Sequence, residues 1–245
     1  MQDYEGAAHA FPALRDLQGH TLADGEFIQS LENDRLFVTI RYQFGDQRLI
    51  EEKAVFRQKP VLNQEQWDWR ELRHGRLYRH FTVDFQSGTA RSEKWDEKGP
   101  GRWSRQVKIE RGRTFAGFGF TLAIKAFREQ LIRGEKIQLK AVGFLPKPRM
   151  ATVEISYGGL DQMRMAGAAR KGDRFVIHTK IPLVARPFIQ VPETRIWLIN
   201  PRPAGFLRWE GPLAEPGDPV IRVDLLPGVE SGPAEPATGA LASQG

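Results

Sequence analysis

Five histidines, His9, His20, His74, His80 and His178, are the side chains of this 245-residue chain best suited to acid–base or metal chemistry near neutral pH. No two of them have the spacing of a helical metal site, and there is no His-Glu-x-x-His, so a metal centre would need convergence in space. Asp84 follows His80 by four residues, which puts them about 13 Å apart on one strand face at about 3.3 Å per residue, too far for a dyad. Ser156, in Ile155-Ser156-Tyr157-Gly158-Gly159, lacks the Gly-x-Ser-x-Gly frame of a nucleophile elbow and reads as a strand residue before a turn. The cysteine count is 0, which excludes a thiol nucleophile, a thiolate zinc site, an iron–sulfur centre and a disulfide scaffold. The acidic residues Glu51, Glu52, Glu65, Asp68 and Glu71 alternate with Arg70, Arg73, Arg76 and Arg79, as cross-strand ion pairs on a wet face do.

Two further patterns have a chemical and a packing reading. Ala116-Gly117-Phe118-Gly119-Phe120-Thr121 is a glycine-rich turn before a helical pattern, where backbone N–H groups can cradle a phosphate. Leu122 stands where a dinucleotide fingerprint has its third glycine, and no Lys-Ser/Thr follows, so the glycines are read as allowing helix and sheet to approach closely. Six Trp and 15 Phe either fill a core or line a ligand cavity. On the cavity reading, the lining residues are Trp67, Trp69, Phe120, Phe127, Met163, Met165 and Trp197. No cofactor motif is present and none is expected. The net charge of +6 is spread along the body without a dense Lys/Arg tract, so nucleic acid is not the expected partner.

The elements that must position these groups are strands. Leu36, Val38, Ile40, Tyr42 and Phe44 alternate with Thr39, Arg41 and Gln43, and Gly45-Asp46 turns the chain. Similar runs follow at 47–57, 61–72, 77–85, 89–95 and 102–109, then at 136–145, 151–157, 160–168, 174–180, 194–200, 206–210 and 220–225. Turns are read at His74-Gly75, Ser87-Gly88, Gly158-Gly159 and Lys171-Gly172-Asp173. Such spacing is that of an antiparallel meander. The segment 114–133 departs from it: Phe120, Ala123, Ile124, Phe127 and Leu131 have helical spacing, with Gly134 as a stop and Lys125, Arg128 and Glu129 expected to face solvent.

The fold expected is mainly β, a strongly curved antiparallel sheet or partly open barrel wrapped around one central α-helix; a two-sheet sandwich is the alternative. The organisation is read as an N-terminal arm over 1–19, one β-rich domain over 20–227 and a disordered Gly/Pro/Ala/Ser tail over 228–245. The Pro-interrupted segment 181–192 reads as a covering lid. No run of apolar residues is long enough for a transmembrane helix. The start carries Asp3 and Glu5 rather than a basic leader, so a cytoplasmic protein is expected, or a periplasmic one if the true start lies elsewhere.

The final third supplies a resemblance. Ile181-Pro182-Leu183, Val191-Pro192-Glu193-Thr194-Arg195-Ile196-Trp197-Leu198 and Leu207-Arg208-Trp209-Glu210-Gly211-Pro212 resemble the ending of uncharacterised, mostly exported bacterial β-rich proteins of the DUF3108 type. Those are similar in outline to the outer-membrane lipoprotein carriers, whose curved sheet wraps around a helix and holds acyl chains. The resemblance spans about Arg113 to Pro212 and implies a binding protein with no catalytic residues. The function expected is therefore non-enzymatic binding of a lipid-like or other apolar ligand. The alternatives are an enzyme with a site assembled in space and a basic-surface interaction module.

Overall fold

Alternating side chains become strands with one buried face: Leu36, Val38, Ile40 and Phe44 are all buried, and Arg41 and Gln43 are not. The computed structural model describes residues 4–96, 99–165, 167–180, 191–201 and 204–225. Its first strands are β1 (Ala8–Ala10), β2 (Ala13–Arg15), β3 (Thr21–Glu32), β4 (Arg35–Phe44), β5 (Arg48–Arg57), β6 (Asn63–Arg73), β7 (Arg76–Asp84), β8 (Thr89–Asp96) and β9 (Gly99–Gln106). There follow β10 (Thr114–Phe115), the helix α1 (Gly119–Ile132), β11 (Ile137–Leu145), β12 (Lys147–Met165), β13 (Ala168–Lys180), β14 (Thr194–Asn200), β15 (Phe206–Pro212) and β16 (Val220–Asp224).

All described strands belong to one 16-stranded sheet, ordered β10-β11-β12-β13-β14-β15-β16-β2-β3-β4-β5-β6-β7-β8-β9, with β1 added beside β3. It consists of two antiparallel meanders, β2–β9 and β11–β16, joined where β16 pairs antiparallel with β2, with β10 added parallel to β11 across the helix. The expected arm over 1–19 thus contributes β1 and the joining strand β2. At this seam the Asp224 carboxylate accepts from Arg208 Nε at 2.7 Å and Arg222 Nε at 2.9 Å and faces Arg15 at 3.8 Å. A sheet this wide must curl, and its free edges overlap instead of pairing. The tip of the β11–β12 hairpin lies against β6–β8: Phe144 stacks on Trp67 and Phe81, and Ser92 Oγ of β8 donates to Pro146 O at 2.6 Å. The curved sheet around one helix is therefore as expected, and the sandwich alternative is not the architecture.

Several local readings are corrected. Gly158-Gly159 is not a turn: β12 runs through it as one 19-residue strand with a bulge between Tyr157 and Gly159. Lys171-Gly172-Asp173 lies within β13, where Gly172 leaves room for Leu207 and Met163. The strand β3 is not among the runs read from the sequence. A Cβ at Gly25 would collide with Pro12 and the Tyr42 ring, so the glycine marks a close crossing, not a break. The helix starts at Gly119, residues 114–115 forming β10 instead. It ends as expected: the Gly134 N–H donates to Leu131 O, the Glu135 N–H donates to Gln130 O, and Gly134 takes φ +91°. The lid segment 181–192, apart from Val191 and Pro192, and the tail 228–245 lie outside the described residues.

The largest correction is Arg128. It was expected in solvent, yet it is buried and donates to the Asp173 carboxylate of β13, which also accepts from Tyr157 Oη at 3.1 Å and Asn200 Nδ2 at 2.9 Å. A helix enclosed by sheet has little wet face left, so this polar position meets an opposite charge inside. Lys125 likewise pairs with Glu5 at 2.9 Å, while Glu129 is exposed as expected.

Deleting one partner of a buried pair costs about 3–5 kcal/mol. Arg128→Met and Asp173→Asn should each lower the unfolding free energy by roughly that amount in urea titrations, and the double variant by clearly less than the two together. Additive losses would show that the pair does not act as a unit.

Candidate functional site

The seven aromatic and methionine candidates fall into two groups. Trp67 and Trp69 project from β6 into the main core, where Phe120 and Phe127 of α1 pack against the same cluster. Met163, Met165 and Trp197 pack with Leu207 and Ile199 in a separate cluster. Trp197 lies between Ile196 and Leu198, which belong to the main core, so this second cluster is on the opposite face of the sheet. The bulge in β12 is the cause. Tyr157 pairs with the core residue Phe175, but after one extra residue Gly159 pairs with Arg174. Every later odd-numbered position has changed face. The seven residues therefore do not line one cavity.

The core is occupied by rings. Trp67 and Phe144 stack with centroids 5.8 Å apart, Phe81 and Phe144 at 4.6 Å, and Trp69 and Phe81 at 5.3 Å. A cavity of about 20 Å3 under Tyr4, Leu62, Leu122 and Lys125 has room for one water.

The glycine-rich turn is met by a carboxyl group that the chain itself provides. Glu52 Oε1 accepts from the Phe118 N–H at 2.7 Å and from Trp67 Nε1 at 2.7 Å, so a carboxylate sits at the start of α1 where a phosphate would. Gln64 clamps the same turn, accepting from the Ala116 N–H at 2.8 Å and donating to Ala116 O at 3.2 Å. A Cβ at Gly117 would collide with Glu52 and the Trp67 indole, and its φ is +50°, so the close-approach reading of the glycines holds. Burial raises the Glu52 carboxyl above the ordinary carboxylate value, and the Phe118 and Trp67 donors offset only part of that rise. The same burial, with the Glu52 charge, raises the Tyr42 phenol.

The acidic and basic residues of β5–β7 do form ion pairs, but not all on a wet face. Glu51 meets Arg41 at 2.6 Å, Lys53 at 3.0 Å and Arg70 at 2.6 Å. Burial would raise its carboxyl, yet Lys53, Arg41 and Arg70 together hold it below its ordinary value. Glu71 and Arg79, by contrast, face the interior. Arg79 bonds Glu71 at 2.7 Å, Glu215 at 2.8 Å and Asp218 at 2.9 Å, and so fastens the β15–β16 connection to β7. The histidines do not converge. His80 Nε2 lies 2.8 Å from Asp68 Oδ2, a cross-strand partner that local spacing did not reveal, with both groups part-exposed. His178 lies 3.8 Å from Glu193, His20 2.8 Å from Asp16 and His9 3.1 Å from Glu26, all at the surface.

A concave site does exist where the sheet edges overlap. Arg102, Trp103, Ser104 and Arg105 of β9 and Lys147, Pro148 and Arg149 of β12 line a groove of about 400 Å3. Trp103 pairs with the fully buried Ser92, and its indole covers Gly101, where a Cβ would collide with the ring. The groove opens beside the aromatic stack: Phe144 is in the stack, Leu145 is 41% exposed, and Lys147 is in the groove. Sequence reading missed this site because its two walls are some forty residues apart and meet only through the curl.

No family model matches the chain, and no curated protein matches it. Among solved structures it is similar to a β-barrel-like protein of a domain of unknown function, DUF1849, from Brucella abortus. That match has a TM-score of 0.51 at 7% identity and covers 91% of this chain and 98% of that one. It is also similar to the hypothetical lipoprotein YmcC from Escherichia coli, with a TM-score of 0.38 at 12% identity over 89% of this chain and 83% of that one. The first likeness establishes the fold, a β-rich barrel-like sheet, and does not reach the DUF3108 resemblance. Among the described residues no helix is long and apolar enough to cross a membrane.

Glu52→Gln keeps an oxygen acceptor and removes the ionisation. A raised folded value means that the stabilising contribution of Glu52 is complete below its ordinary value of 4.5 and is lost as pH rises through the raised one. The stability of the wild type relative to Glu52→Gln should therefore fall as pH rises above the ordinary value of 4.5. Glu52→Ala should be less stable than Glu52→Gln throughout, by about 1–3 kcal/mol, because two donors lose their acceptor. A wild-type-to-Gln difference that is flat with pH would contradict the raised carboxyl.

Proposed function

We propose that this is a non-enzymatic binding protein whose ligand is an amphiphile, with a lipid-like chain taken up against the aromatic face of the curved sheet. The observation that carries the reading is the continuity at the β11–β12 tip: within four residues the hairpin passes from the aromatic stack, through half-exposed Leu145, to the charged groove at Lys147. An amphiphile needs that sequence of environments, apolar inside and charged at the mouth. The resemblance of residues 113–212 to carrier-like exported proteins supports the same reading by analogy.

The chain of the ligand takes the place of the Phe144 ring. β10 pairs with β11 only at Lys140 and Ala141, so residues 142–145 have a partner strand on one side alone. The tip can therefore swing out at the cost of one stacked ring and the Ser92–Pro146 hydrogen bond.

The test is tryptophan quenching by a bromine-labelled fatty acid. Saturable quenching is expected in the wild type. Phe144→Leu, which leaves space and keeps an apolar tip, should bind several-fold more tightly. Phe144→Ala should do the same if it stays folded, losing about 3–5 kcal/mol of stability. An absence of saturable quenching in the wild type, or no gain in folded Phe144→Leu, would overturn the reading.

A further inference from the structure

We infer that the groove between β9 and the start of β12 binds a phosphate-bearing group, a phosphomonoester or phosphodiester carried on a partly apolar molecule. The inference deepens the amphiphile reading by naming its head group, but it rests on the groove alone and stands even if no chain enters the core.

Three observations carry it. First, Arg105, Lys147 and Arg149 are exposed cations on two separate elements, and among the described residues none of them has an ion pair, while Arg102 has only Glu93 at 3.8 Å. Arg41 and Arg70, by contrast, are neutralised at close range by Glu51. Unpaired cations lining one concavity repel each other, and an anion removes that cost. Second, the chemistry fits a tetrahedral oxyanion. Two guanidinium forks give paired N–H donors, and Lys147 adds a point charge; the three or four oxygens of a phosphate, carrying up to two charges, can accept from all three. Third, the groove is larger than the anion. At about 400 Å3 it has room for the adjoining part of the ligand, and Trp103 and the buried Pro148 offer that part an apolar wall. The absence of a side chain at Gly101 seats the indole there.

The phosphate can be free in solution or at a membrane surface, and the two sources are separable. The full-length protein is titrated with glycerol phosphate by calorimetry and Trp fluorescence, and then mixed with phosphatidylglycerol and with phosphatidylcholine vesicles in a sedimentation assay. The triple variant Arg105→Gln/Lys147→Gln/Arg149→Gln is compared with Arg164→Gln/Arg170→Gln/Lys171→Gln, an equal charge change at exposed positions of the β12–β13 hairpin. The groove triple should weaken binding by about tenfold or more, and the control triple by much less. Binding of glycerol phosphate alone supports a soluble phosphate ligand, and binding of phosphatidylglycerol vesicles as well supports a lipid head group. The inference is overturned if neither probe binds, if both triples weaken binding equally, or if an oligonucleotide binds through these residues more tightly with increasing length. All variants alter exposed side chains, so circular dichroism should confirm an unchanged fold. Failure of this test with fatty-acid quenching intact would remove the head-group assignment and leave chain uptake standing.

Discussion

A helix enclosed by a curled sheet buries polar groups on its inner side, and the rest of this structure depends on how those groups are met. Glu52 of β5 meets the N-terminal N–H at Phe118, and Asp173 of β13 meets Arg128 near the other end. One acid comes from each half of the sheet, so α1 ties the two halves across the interior as the pairing of β16 with β2 ties them in the middle of the sheet. Neither acid is replaceable by a packing residue without leaving a donor or a cation unpaired in the core.

With the helix fixed, the curl cannot close by ordinary strand pairing. β9 and β10 end the sheet, and the β11–β12 hairpin is laid over the inner face of β6–β8. An overlap of this kind leaves a slot between layers, walled by side chains from distant parts of the chain. Rings fill its depth and cations its mouth. The Arg79 cluster does the opposite at the β15–β16 connection, where three carboxylates and a buried guanidinium hold that part of the molecule shut. The structure thus has a firmly closed side and an overlap secured mainly by stacking.

Much of the fold was legible in the sequence because burial on one face writes a period of two, and the helix a period of 3.6. Leu36 to Phe44 and Phe120 to Leu131 carried those patterns plainly. What failed were single-residue events that period counting cannot register. One extra residue at Gly158 put Met163 and Met165 on the other face from Tyr157. Gly172, read in a turn, is a close crossing inside β13, as Gly25 is inside β3. Helical spacing places a charged residue toward solvent, but Arg128 is inside because Asp173 is there to meet it. The site was the least legible part: no local motif announces Trp103 beside Arg149, since only the curl brings them together.

The central claim is that the overlap between β9 and the β11–β12 tip is the opening of a binding cradle. The chain has 0 cysteines, so spin labels at Ser104→Cys and Leu145→Cys report that gap without background. The distance between them, measured by pulsed electron resonance, should be short and narrow in the free protein and gain a longer population when a saturating amphiphile is added. A distribution that stays unchanged while the amphiphile is demonstrably bound would contradict the account.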